Sequence, residues 1–152
     1  MGKIDTTDMK ILNELIAGTS SSVPKLSKKI DVNMSVVYSR IKRLVRRRLI
    51  NRFTVEVNEE NLGYIISAVI GLNIDAKLRD EILDMVMHLE ETREIFEVTG
   101  RFDFLIKVKA RSLDELNEAI SKIGKTNGVM HSETFIQMQS KRIEPRYTLP
   151  KT

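Results

Sequence analysis

The stretch that most constrains this chain runs from Asn33 to Ile50, NMSVVYSRIKRLVRRRLI. At 3.6 residues per turn Met34, Val37, Ile41 and Leu44 fall on one stripe, with Val45 at its edge, which is the spacing of a helix packed on a small core. The other side carries Ser35, Ser39, Arg43 and Arg46, flanked by Val36, Arg40, Lys42 and Arg47. Asn33 is placed to cap this helix, since its side chain can accept from an orphan backbone N–H one turn on. No Asp or Glu stands between Asn33 and Thr54, so these cations find no acidic partner on their own helix. Such a helix suits a major groove entered tip first. Ser35, Val36 and Ser39 would lie near base edges, and Arg40, Lys42, Arg43, Arg46 and Arg47 near phosphates.

What precedes this helix reads as its support. Asp5 and Asp8 sit at the N-cap and third positions of a first helix whose apolar face is Met9, Leu12, Leu15 and Ile16, with Ile11 beside them. Gly18 ends it, and Thr19 to Ser22 form a polar loop. Pro24 falls in the first turn of a second helix, where a missing N–H is tolerated, and that helix turns Leu26 and Ile30 inward. Asp31 and Val32 make a brief turn into the third. Three helices with a tight turn before the last have the sequence form of a helix-turn-helix, here over residues 1–50. The charge supports this division. Residues 1–52 hold 12 Lys+Arg and 4 Asp+Glu, a net of +8, whereas residues 53–152 hold 13 and 17, a net of −4.

After Ile50 the period changes. Asn51 to Asn58 alternates Phe53, Val55 and Val57 with polar neighbours, which predicts an extended strand, either a wing or, as favoured here, a linker strand. Linker and turn occupy 51–62, with the boundary between Asn58 and Gly63. From Tyr64 the pattern predicts a strand to Ile74, a helix from Asp75 to Leu89 and a strand from Glu94 to Thr99. A turn at Gly100 leads to a strand from Phe102 to Lys109, a helix from Leu113 to Ile123 and a strand from Val129 to Met138. The order is β-α-β-β-α-β and the class α+β. Ser112 and Glu115 have the spacing of a capping box for the second of these helices. Two helices cover one face of a four-stranded sheet. Ile65 and Val69 point away from Ile66, Ala68 and Ile70, so the uncovered face is apolar too, and a second copy of the chain is expected to cover it.

Composition excludes several classes. With no Cys among 152 residues there is neither a disulfide framework nor a thiolate metal site. His88 and His131 are the only histidines and lack ligand spacing, so no metal, no cofactor and no catalytic residue is expected. The longest apolar run, Tyr64 to Ile70, is too short to span a bilayer, and the N-terminus has no apolar signal core. The expected location is cytoplasmic, with the nucleoid.

Three motifs, in this order and spacing, are similar to those of the leucine-responsive and asparagine-synthesis regulator family (Lrp/AsnC), including its archaeal members. They are Asp5-Thr6-Thr7-Asp8-Met9-Lys10-Ile11-Leu12, Ser39-Arg40-Ile41-Lys42-Arg43-Leu44 leading to Leu49-Ile50, and Val98-Thr99-Gly100-Arg101-Phe102-Asp103-Phe104-Leu105-Ile106-Lys107-Val108. The last resembles the family's Gly-x-x-Asp hairpin, and Thr134 resembles the Thr of its final strand. The resemblance implies an N-terminal helix-turn-helix joined to a ferredoxin-like effector and oligomerisation domain over 63–152. It also implies dimers that assemble into tetramers, octamers or larger rings, and DNA binding modulated by an amino acid. It gives effector roles to Thr99, Gly100, Arg101, Phe102, Asp103 and Thr134. Asp103 would pair with an α-amino group, N–H groups around Gly100 would hold an α-carboxylate, and Thr134 would orient either. A structural reading stands beside it: Gly100 supplies a positive φ to a turn and Asp103 caps it.

The chain departs from the family pattern at Arg48, where Gly is common, at Val45, where an acid is common, and at Asn33, where Ser is frequent. A non-Gly residue in the left-handed region costs roughly 1 kcal/mol. No Asn, Gln or Arg precedes Arg40 in the basic helix, so base readout is expected to be modest and backbone contacts and DNA bending larger. Two functions follow: an operator-binding regulator with an amino-acid effector, and an architectural chromatin protein without effector control.

Overall fold

The computed structural model describes residues 3–18 and 22–151. The chain forms two compact units, residues 1–55 with 141–152, and residues 56–140.

In the first unit Asp5 caps α1 (Thr6–Ile16) through a complete capping box, its side chain accepting from Asp8 N–H while the Asp8 side chain accepts from Asp5 N–H. Of the expected loop from Thr19 to Ser22, all but Ser22 lies outside the described residues. Ser22 precedes α2 (Val23–Ile30), which has Pro24 in its first turn. Asp31, at φ 54°, reverses the chain into α3 (Met34–Arg46), whose cap Asn33 accepts from Ser35 N–H. Ile11, Leu26, Val37 and Leu44 form the buried centre, with Leu12, Leu15, Val23, Ile30, Val32, Ile41 and Ile50 packed around it. Met34, expected on the buried stripe of α3, and Val45, expected at its edge, are exposed. Both lie at the edge of the arc that α1 and α2 can cover.

The linker strand expected over Asn51–Asn58 is absent. These residues are exposed and join no ladder, and Phe53, Val55 and Val57 face solvent. Alternation favours extended backbone, but a strand also needs a neighbour to accept its hydrogen bonds. The end of the chain departs too. Lys141–Thr152, expected with the sheet, clusters with the three helices.

The second unit is the expected β-α-β-β-α-β: β1 (Ile66–Ile74), α4 (Arg79–Met87), β2 (Thr92–Glu97), β3 (Phe104–Ala110), α5 (Leu113–Gly124) and β4 (Val129–Ile136). A 3-10 turn, Ala76–Leu78, replaces the first part of the helix expected from Asp75. The strands form one antiparallel sheet in the order β2-β3-β1-β4. Ala68, Ile70, Leu72 and Ile74 of β1 and Phe104, Ile106, Val108 and Ala110 of β3 pack on Ile82 and Val86 of α4 and on Leu116 and Ile123 of α5. Ser112 caps α5 by accepting from Glu115 N–H. The Glu115 carboxylate accepts from Arg111 N–H, one residue before the partner a capping box would give it.

Candidate nucleic-acid interface and hairpin site

The face of α3 opposite its buried stripe is where the sequence placed a nucleic-acid contact. Ser35, Val36, Ser39, Lys42 and Arg46 are exposed on it, and Arg40, Arg43 and Arg47 are half-buried. Ser35, Val36, Ser39, Arg40 and Arg43 line one open hollow. Lys42 Nζ stands 4.5 Å from the centre of the Tyr38 ring.

The expectation that these cations lack acidic partners holds only along α3. The acids come from α1. Arg40 Nη1 donates to Asp5 Oδ2 at 2.5 Å and to Asp8 Oδ1 at 3.1 Å, and Arg43 Nη2 donates to Asp8 Oδ2 at 2.6 Å. Asp8 is wholly buried, which two guanidinium partners make tolerable. The hydrogen bond from Arg40 pulls the Asp5 carboxyl down from 3.8 to about 2. The same bond raises Arg40 above its ordinary value. Sequence reasoning saw Asp5 and Asp8 as helix caps and missed this second use. Past Arg46 the chain turns at Arg48, a non-glycine residue at φ 57°.

The tail adds to the positive charge of the first unit. Residues 1–55 and 141–152 hold 16 Lys+Arg and 5 Asp+Glu, a net of +11, while residues 56–140 hold 9 and 16, a net of −7.

In the second unit Val98 to Asp103 link β2 to β3. Val98 N–H donates to Asp103 O, and Asp103 N–H to Leu72 O. Gly100 has φ +128°, and a Cβ there would touch nothing, so glycine is required by backbone conformation alone. Among the described residues no acceptor meets the N–H groups of Thr99, Gly100 or Arg101. The Asp103 carboxylate accepts from Ile74 N–H at 2.9 Å through Oδ2, and Asn73 Nδ2 donates to Arg101 O at 2.9 Å. Phe102 lies flat on Gly71, where a Cβ would come within 2.7 Å of its ring, and meets Phe135 edge-on at 6.2 Å. The Arg101 guanidinium stacks on Phe102 and pairs with Glu133. His131 Nε2 lies 3.2 Å from the same carboxylate and, as the largest cause, holds Glu133 below its usual range.

The register separates two groups that the sequence had placed together. Glu133 and Phe135 pair with Gly71 and Val69 on the uncovered face, where Phe102 also lies, whereas Thr134 pairs with Ile70, which faces the helices. Thr134 therefore does not join Arg101 and Phe102 within one copy of this unit.

Among the described residues no cluster of His, Asp and Glu could hold a metal ion, and no helix is long and apolar enough to cross a membrane. His88 is exposed, with Nδ1 at 2.7 Å from Asp84 O.

The family model of the Lrp/AsnC ligand binding domain matches residues 67–147. An uncharacterised HTH-type transcriptional regulator of Pyrococcus furiosus is 31% identical over 137 residues, covering 90% of this chain and 93% of its own. A second HTH-type transcriptional regulator of that organism is 31% identical over 138 residues, covering 91% of each. Among solved structures, AsnC of E. coli is 28% identical with a TM-score of 0.82, over 95% of this chain and all of its own. A transcriptional regulator from Neisseria meningitidis, solved in complex with L-Met, is 18% identical with a TM-score of 0.88, over 96% of this chain and 97% of its own.

Proposed function

The chain belongs to the Lrp/AsnC family, and from that premise we propose that it is a transcription regulator that holds duplex DNA with its three-helix unit and answers to an amino acid at the Val98–Asp103 hairpin. It is a regulator of this family rather than an enzyme.

The observation that carries the DNA reading is the charge partition, +11 against −7, with the cationic share on the unit that displays α3. Exposed Lys42 and Arg46 and half-buried Arg47 meet phosphates, while Ser35, Val36 and Ser39 approach base edges. For the effector, one oxygen of Asp103 remains for an α-amino group once Oδ2 has taken Ile74 N–H, and the N–H groups of Thr99, Gly100 and Arg101 are open to an α-carboxylate. Phe102 supplies an apolar wall. Thr134 joins such a site only if another copy of the chain brings it there. The L-Met held by the Neisseria regulator makes methionine the first amino acid to try.

Self-association fits the same reading. The uncovered sheet face carries Val69 and Leu105, with Ile65, Phe96 and Phe135 exposed, more apolar surface than an isolated unit usually leaves in water. A homodimer on this face, and larger rings built from it, would bring two or more three-helix units to one duplex.

Fluorescence anisotropy with the full chain tests this, using a duplex enriched by the protein from a random pool and a scrambled duplex, each at two salt concentrations, with and without each common amino acid. Tighter binding to the enriched duplex, shifted by an amino acid, supports the proposal. Equal binding to both duplexes, unmoved by any amino acid, supports the architectural alternative.

A further inference from the structure

We infer that Arg40 and Arg43 determine sequence preference, by offering fixed guanidinium edges to guanine in the major groove, and that Asp5 and Asp8 are the residues that position them. This rests on the DNA reading above and divides the basic helix into two kinds of cation.

The division follows from the ion pairs. Asp5 and Asp8 bring two negative charges to within 2.5 to 3.1 Å of the two arginines, so the four groups together carry no net charge. A neutralised guanidinium releases few counterions when it meets a phosphate, and it adds little to salt-dependent attraction. Its unused N–H groups are still donors. Arg40 reaches the carboxylates through Nη1 alone, leaving Nη2 and Nε, while Arg43 uses Nη2 and leaves Nη1. Arg43 Nε–H is buried without an acceptor among the described residues, so Nη1 is the donor Arg43 has left to offer a base.

Arg40 and Arg43 line the hollow with Ser35, Val36 and Ser39, on the part of α3 that would face base edges, whereas Lys42 and Arg46 are exposed cations with no carboxylate within pairing distance among the described residues. A planar fork tied down by acids loses little side-chain freedom on binding. The remaining edge of Arg40 matches the O6 and N7 acceptors of guanine, the pairing arginine makes most often in the major groove. The sequence had placed both arginines at phosphates, and the carboxylates from α1 argue for the bases instead.

The test uses the full chain and a duplex it selects from a random pool. Replacing each selected guanine by 7-deazaguanine removes N7 and keeps Watson–Crick pairing. At one such position the wild type should lose roughly fivefold or more in affinity. Arg40→Lys keeps the charge and loses the planar fork, so it should discriminate less than the wild type between modified and unmodified duplexes, with its salt slope unchanged. Asp5→Asn keeps an acceptor for the helix cap and releases one charge on Arg40. It should bind scrambled DNA more tightly, steepen the salt slope by up to about 0.9, and lower the ratio of selected to scrambled affinity. The ratios of modified to unmodified and of selected to scrambled affinity each compare two duplexes on one protein sample, so a partly unfolded variant lowers both affinities and leaves the ratio meaningful. Indifference of the wild type to every 7-deazaguanine, undiminished discrimination by Arg40→Lys, or selection of no guanine overturns the inference while DNA binding stands. Absence of any binding to duplex DNA overturns the function it rests on.

Discussion

The side-chain amide of Asn13 on α1 holds the backbone of Tyr147 at both polar atoms, Nδ2 donating to Tyr147 O and Oδ1 accepting from Tyr147 N–H, each at 2.8 Å. This double bond to the first unit fixes a tail that carries Lys141, Arg142, Arg146 and Lys151 against a single acid, Glu144. Asn13→Ala removes both hydrogen bonds at once. At a net worth of about 1 kcal/mol each, the loss should free the tail without unfolding the helices. Limited trypsinolysis should then cut at Lys141, Arg142 and Arg146 several times faster than in the wild type, with helical circular dichroism unchanged. Equal cleavage rates would mean that the tail is held by other contacts.

Asp8 has no exposure and two arginine partners, so removing it strands Arg43 beside an apolar cluster and leaves Arg40 with Asp5 alone. Breaking a buried pair costs about 3–5 kcal/mol, and the partial exposure of Arg40 and Arg43 puts Asp8→Ala near the lower end. Loss on this scale consumes much of what a unit this small possesses. Calorimetry should show the helical unit of Asp8→Ala melting well below that of the wild type, while the sheet transition keeps its position.

Asp5 ties the same cluster to pH. Its carboxyl titrates at about 2 in the folded chain against 3.8 ordinarily, chiefly through its hydrogen bond from Arg40. A lowered folded value means that the stabilisation is present above 3.8 and disappears as pH falls from there toward 2. The urea midpoint of the wild type should drop across that window. In Asp5→Asn the same window should be flatter, because the group that titrates there has gone.

These two acids show where the sequence stops being legible. Their spacing announces a helix cap, and the cap is present. Their pairing with Arg40 joins residues 35 and 32 positions apart, and no periodicity encodes a bond of that range. The sheet unit was more readable. Leu116, Ala119 and Ile123 repeat at the helical period and are buried as the stripe requires, and β3 alternates strictly between buried and half-buried positions. The stretch from Asn51 to Asn58 alternates as well and joins no sheet, because alternation records backbone extension and says nothing of a partner strand. In the hairpin, Gly100 and Asp103 were found by motif. Gly71 escaped notice, since its role as a seat for Phe102 exists only once β1 and the hairpin have come together.

Arg48, a departure from the glycine that the family resemblance leads one to expect, adopts a left-handed conformation at φ 57°. Arg48→Gly relieves a strain of roughly 1–2 kcal/mol, partly offset by the greater freedom glycine has when unfolded. A net gain of about 0.5–1 kcal/mol should raise the melting temperature of the helical unit by a few degrees. The variant also loses a cation. Its DNA salt slope should therefore fall by no more than about 0.9. A variant no more stable than the wild type would show that the local turn accommodates arginine without strain.

The hairpin offers the sharpest separation between a structural and a ligand-binding role. Asp103 Oδ2 secures Ile74 N–H, so Asp103→Ala both removes a negative charge and orphans a backbone donor at the end of β1. Loss of an amino-acid response in that variant would be ambiguous. Asp103→Asn is the better replacement, because its carbonyl oxygen can still accept from Ile74 N–H while its charge is gone. If Asp103 pairs with an α-amino group, Asp103→Asn should keep the wild-type melting temperature without ligand and bind a responsive amino acid at least about tenfold more weakly by calorimetry, the loss expected when a charge-assisted bond becomes a neutral one. If the carboxylate serves only the turn, Asn should bind as the wild type does and only Ala should melt earlier. Gly71→Ala provides an independent check: a Cβ 2.7 Å from the Phe102 ring must displace it, which should weaken amino-acid binding through the apolar wall while leaving the Asp103 carboxylate in place.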